Sequence, residues 1–171
     1  MAIYFDKGTS PGAYWNAPLA EGWRVTSAFQ GDAQPITNWE NQDDVHGSGT
    51  NGGPILTESS GIFTFAELGY YLITWTHYDY IANTDVRYAE MYLGVSLNSG
   101  SNWDYHGFGA AHIANVSSSN VLQGQSCSSI VTGTQNTRLR WRISSANSNL
   151  YTGGSTNEQV TGFTVVKVGG L

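Results

Sequence analysis

Apolar and polar residues alternate along most of this chain with the period of two that marks strands, and no stretch sustains the three-to-four period of an amphipathic helix. The cleanest run is 88–97, where Ala89, Met91, Leu93, Val95 and Leu97 share one parity and Tyr88, Glu90, Tyr92, Gly94 and Ser96 the other. Residues 137–144 alternate as sharply, which predicts Leu139, Trp141 and Ile143 inward and Arg138, Arg140 and Arg142 outward. The stretch 61–75 is the most aromatic: Ile62, Phe63 and Phe65, a Glu67-Leu68-Gly69 corner, then Tyr71, Ile73 and Trp75, with the second strand running on through His77-Tyr78-Asp79-Tyr80. Two such strands at a Gly-bounded corner predict a core hairpin around which the others are laid.

Shorter strands are predicted at 24–30 and 36–39. Two more, at 108–117 and 121–132, are rich in Ser, Ala and Gly and are expected to pack closely on another surface rather than fill a core with bulk. The closing strand, 159–168, is so apolar that a central position is expected, because an exposed edge of that kind invites aggregation. Long loops fall at 41–54 and 147–157 and turns at 83–85, 98–102 and 117–120, while 103–107 is an aromatic loop or edge. Roughly eight to ten strands without a helix predict an all-β sandwich or jelly roll. The absence of a repeat argues against propellers and solenoids. One domain is expected over 24–171. Residues 1–23, with Tyr4, Phe5, Tyr14, Trp15 and Trp23 among turn residues, predict an ordered arm that docks on its own domain or on a neighbour.

Composition agrees with that picture. Charged residues are 12%, aromatics 13%, and there are 21 glycines, as suits a turn-rich β-protein in 171 residues. The net charge of −6 argues against nucleic acid and anionic membranes as partners. Residues 1–85 carry ten of the thirteen acids but only Lys7 and Arg24 of the cations, so two faces of opposite sign are expected, as in a self-associating or docking protein. Cys127 is the sole cysteine, which excludes an intrachain disulfide and predicts first a small buried strand residue and second a reactive thiol. No run reaches membrane-spanning length and the first residues lack a cationic, apolar leader pattern, so a chain made in the cytoplasm, without membrane insertion, is expected.

Candidate chemistry is sparse. His77-Tyr78-Asp79 and Asp104-Tyr105-His106 each put a histidine and a carboxylate on one side of a strand, a geometry open to acid–base or metal chemistry and also common by chance. No nucleophile elbow, zinc helix or phosphate loop accompanies them, so no catalytic residue and no cofactor is assigned. Asp43 and Asp44 near His46 raise a metal site, but they lack regular ligand spacing and read first as a solvated loop. Trp39, Tyr80, Trp103 and Tyr105 stand in or beside loops, where rings can stack on a glycan or receptor; a trimer interface would use the same residues for their large contact area and polar handle, and is the first reading. The Arg138, Arg140, Arg142 stripe is either a solvated or acid-paired face or a contact for an anionic ligand.

The order of motifs resembles the trimeric jelly-roll family of tumour necrosis factor and the complement globular head. The likeness lies in Gly61-Ile62-Phe63-Thr64-Phe65, Gly69-Tyr70-Tyr71-Leu72-Ile73 and the closing Thr161-Gly162-Phe163-Thr164-Val165. It implies a ten-stranded jelly roll assembling as a homotrimer, with Tyr71, Ile73, Trp75 and Phe163 as axis or core residues. Without the family's anchor or collagen-like stem, the resemblance points to a bacteriophage virion protein made in the host cytoplasm. Capsid decoration and an appendage or tail-fibre tip in host attachment are the two roles expected. The arm would then meet a capsid or tail protein, and distal loops a host surface glycan. The alternative is a monomeric carbohydrate-binding module or adhesin.

Overall fold

The two sharpest alternations in the sequence become neighbours in space. The computed structural model describes residues 20–42, 54–82, 86–113, 120–145 and 148–171. In chain order the strands are Ala20–Val25 (β1), Phe29–Gln30 (β2), Trp39–Asn41 (β3), Leu56–Ser59 (β4), Ile62–Phe65 (β5), Gly69–Ala82 (β6), Val86–Ser96 (β7), Asp104–Ile113 (β8), Asn120–Gly133 (β9), Arg138–Ser145 (β10), Tyr151–Thr152 (β11) and Gly162–Gly169 (β12). No helix occurs among the described residues. β7 and β10 pair antiparallel, with Leu93 opposite Trp141 and Met91 opposite Ile143 on the inner face.

Two antiparallel sheets result. One runs β2-β11-β6-β12-β1-β3, with β9 along the other side of β6; the second runs β4-β5-β10-β7-β8. The apolar closing strand β12 is central, as expected, between β6 and β1. Inward-facing residues of both sheets form one aromatic core. Phe163 is its hub: it stacks on Trp141 at 3.8 Å between centroids and meets Phe63 and Trp39 edge-on at 5.1 and 5.4 Å.

Several expectations change. β5 and β6 do not pair; they belong to opposite sheets, and the Ala66–Leu68 corner carries the chain across the sandwich. Both strands still turn their rings inward, so Phe65 stacks on Tyr71 at 4.4 Å across the core. The true hairpin joins β4 to β5 through Ser60 and Gly61, both at positive φ (53° and 79°), where a Cβ on Gly61 would strike the Ile36 carbonyl. Leu97 does not extend the apolar face of β7, which ends at Ser96, and is 65% exposed. Residues 20–23, placed by sequence in the arm, open β1 and pair with β12, with Trp23 in the core; the rest of the arm lies outside the described residues. The Ser- and Gly-rich strands β8 and β9 do approach each other where the sheets meet. A Cβ on Gly107 would lie 3.4 Å from Cys127 Sγ, and one on Gly109 3.3 Å from Gln125.

One buried acid ties the first sheet to the second. Glu21, on the inner face of β1, is 1% exposed and accepts hydrogen bonds from the backbone N–H of Ile55 (2.7 Å) and Leu56 (2.9 Å) and from Asn41. Burial raises its pKa, and the two backbone N–H bonds oppose that shift. Glu21→Ala strands two buried donors and is expected to lower stability by about 1–3 kcal/mol in denaturant unfolding, with Glu21→Gln retaining part of it. An unchanged midpoint for the alanine variant would show that the tie carries no weight.

Candidate functional site

The outer face of the second sheet combines exposed rings with cations, and its geometry begins with a bulge. β8 pairs with β7 in register from Ala111 to Phe108, then shifts so that Tyr105 stands opposite Gly94. Gly107 sits in the irregularity at φ 86°. The extra residue resets the alternation, and Tyr105 and Phe108, three apart, both pack on Tyr92, with centroids at 5.3 and 5.2 Å. Phe108 is 52% and Tyr105 41% exposed.

On the other side of β7 stands the arginine stripe of β10. Arg142 lies opposite Tyr92, with its guanidinium carbon 5.7 Å from the Tyr92 centroid and 5.9 Å from that of Tyr105. Arg140 lies opposite Gly94, which has no side chain to fill the space; the Arg140 stem and the Trp103 indole share it, with the indole 4.1 Å from the Arg140 guanidinium. Arg138 is held differently, donating to the carbonyls of Gln135 and Thr137. Among the described residues none of the three arginines is ion-paired with an acid. Glu90 accepts a 2.5 Å hydrogen bond from the Tyr92 hydroxyl, and Asp32 accepts from Ser145.

Of the four glycan candidates, the structure brings only Trp103 and Tyr105 together. Trp39 is buried in the core, where its indole N–H donates to the Ile36 carbonyl. Tyr80 lies on the other sheet, stacked on Tyr151 at 5.1 Å. Tyr92, Phe108 and Gly94 belong to the patch and escaped the sequence reading. Tyr92 and Gly94 were legible as outward residues of 88–97, but Phe108 required the bulge.

The inner-face titratable cluster is closed. His77 and Asp79 are each 1% exposed, with Nδ1 2.8 Å from Oδ2, and the Thr152 hydroxyl donates to Asp79 Oδ1 at 2.9 Å. His77 and Gln125 also reach the wall of a surface groove of about 530 Å³ between β9 and the Glu158-Gln159-Val160 segment. His106 and Asp104 are exposed on the edge strand. Asp43, Asp44 and His46 lie outside the described residues. No group of three metal-ligating side chains occurs among the described residues.

No protein-family model matches this sequence, and no curated protein matches it. The strand arrangement does have counterparts among solved structures. Eiger TNF from S. frugiperda superposes with a TM-score of 0.67 at 13% identity, over 90% of this chain and 94% of that one. Murine APRIL at pH 5.0 superposes at 0.65 with 10% identity, over 89% of this chain and all of the other, and its pH 8.5 structure at 0.63 with 11%. The fold is TNF-like. Identity this low carries the architecture only, which agrees with the resemblance drawn from the Gly-x-Phe-x-Phe and closing-strand motifs.

Within this TNF-like sandwich Tyr71, Ile73, Trp75 and Phe163 are 0–1% exposed. They are the chain's own core and present no free surface to a neighbour. The outward parity of the same strands has the free area: Tyr70 is 43%, Ile130 66% and Val168 55% exposed. Leu72 stands between Val166 and Ile130 in one cross-strand row of the outer face.

Burial and the Glu90 hydrogen bond push the Tyr92 pKa up to about 12. The raised value means that the folded chain holds this proton more tightly than the unfolded one. Its contribution to stability is therefore complete below the unfolded tyrosine pKa, near 10, and is lost as pH rises through about 12. Burial raises the Tyr71 pKa as well, so tyrosinate absorbance is expected to show a late-titrating group of tyrosines, from which Glu90→Gln brings one forward; an unmoved titration would contradict the assignment.

Proposed function

We propose that this TNF-like chain is a non-enzymatic assembly and display module, a homotrimer carried on the outer surface of a bacteriophage virion. The observation that supports self-association is the apolar row on the outer face of the first sheet. Ile130 leads it at 66% exposure, with Leu72 and Val166 beside it and Tyr70 and Val168 adjoining. Next to this row lie Thr74, Ser128 and Thr164, then Thr76, Ser126 and Gly162, small residues that let a second surface approach closely. An apolar ridge bordered by small polar residues is the composition of an interface core and rim. Eiger TNF and APRIL lend the reading their shared fold.

In the virion reading the segment before β1 docks on a capsid or tail protein, and the trimer faces outward as a decoration or an appendage tip. Light scattering across a concentration range is expected to return three chain masses. Ile130→Glu, which alters an already exposed side chain, should shift the mass to one chain that remains folded by circular dichroism, with its unfolding midpoint lowered only by the lost assembly term. A wild-type monomer would overturn the assembly. Deleting residues 1–19 keeps β1 whole and is expected to leave a folded trimer that no longer joins particles; full incorporation of the truncated chain would refute the docking role.

A further inference from the structure

We propose that the aromatic and arginine patch on the outer face of β10-β7-β8 is a binding site for a carboxylated glycan, a sugar chain bearing uronic or sialic acid groups. Its chemistry is double. Tyr105 and Phe108 offer exposed ring surface beside Tyr92, while Arg140 and Arg142 lie over Trp103 and the two tyrosines without an acid partner among the described residues. A ligand that satisfies both needs an apolar C–H face to lie on a ring and an anion within reach of a guanidinium edge. A sugar acid has both on one unit. The planar carboxylate also matches the planar fork of arginine for paired hydrogen bonds.

The site is held ready for such a ligand. Stacking on Trp103 fixes the Arg140 guanidinium, and its buried Nε has no hydrogen-bond partner. Arg142 lies against the Tyr92 and Tyr105 rings. The nearby acids do not pair with the two guanidinium groups: Glu90 is engaged with Tyr92 and Asp32 with Ser145, while Asp104 stands exposed at the edge.

Size decides between a glycan and a protein partner. The patch spans three strands, about 10 Å at the usual interstrand spacing, and two cross-strand rows, about 7 Å along the strands. That area suits one or two sugar rings and falls far short of the roughly 800 Å² per partner of a stable protein interface. The patch lies on the sheet opposite the apolar row assigned to self-association, so the two readings stand or fall separately.

Calorimetric titration of the full chain tests the site with oligomers of alginate, hyaluronan and polysialic acid. Neutral dextran, dextran sulfate and polyglutamate are the comparisons. Binding of at least one carboxylated glycan is expected, with none to dextran. Trp103→Ala and Arg140→Gln should each weaken it about tenfold or more, as loss of a stacked or charge-assisted contact does. Arg138→Gln, the stripe residue bonded to backbone carbonyls, should leave it unchanged, as should Ile130→Glu. Trp103→Phe, which keeps a ring, should retain part of the affinity and separates the contact from a folding defect. Failure of all three glycans to bind overturns the site. Equal losses from Arg138→Gln and Arg140→Gln, or equally tight binding of dextran sulfate, would reduce it to plain charge attraction. Equally tight binding of polyglutamate would instead assign the face to an acidic protein.

Discussion

The sandwich depends on the ring contacts that Phe163 makes from the middle of the first sheet. Its stack on Trp141 and its edge contacts with Phe63 and Trp39 join β12 to β10, β5 and β3, so one side chain touches elements of both layers. Trp23 of β1 lies parallel to it at 6.5 Å and edge-on to Phe63 at 5.1 Å. Rings of this size each bury a large apolar area, and they span the gap between the two sheets. With the single cysteine half-buried and free, packing has no covalent support among the described residues.

With the interior filled this way, the two outer faces of the described sheets are surfaces for recognition, and they differ in kind. The first sheet carries an apolar row followed by small hydroxyl residues, a surface another protein can approach closely. The second carries arginines laid over aromatic rings. Both faces are built by the strands that make the core, since in a strand the residue next to a core residue points outward. Ile130 adjoins core Val131, and Arg140 and Arg142 flank core Trp141. A change that slipped β10 or β9 by one residue would exchange core for surface and abolish fold and site together.

Local irregularities then shape the patch. Gly94 interrupts the outward row of β7 and leaves the space in which Trp103 meets Arg140. Gly107 breaks the register of β8, which brings Tyr105 and Phe108 to one side and lets the strand approach Trp75 and Cys127 at the sandwich edge. Both glycines are conspicuous in the sequence, yet the roles are visible only with the neighbouring strands in place.

The sequence by itself determined which residues face inward. Alternation in 88–97, Leu97 excepted, and in 137–144, the inward parity of Phe63, Phe65, Tyr71, Ile73 and Trp75, and the central place of the closing strand all follow from a period of two and the exclusion of apolar side chains from water. The motif order also carried the TNF-like fold. What alternation leaves open is which strand pairs with which, because the same inward parity serves a hairpin within one sheet and an arch between two. Tertiary packing decided that 61–75 is an arch, with Phe65 on Tyr71 across the core. It likewise placed Tyr71, Ile73, Trp75 and Phe163 in the chain's own interior, with Trp39 beside them, and Trp103 beneath Arg140. Those outcomes rest on contacts between residues far apart in the chain, which a local pattern does not encode.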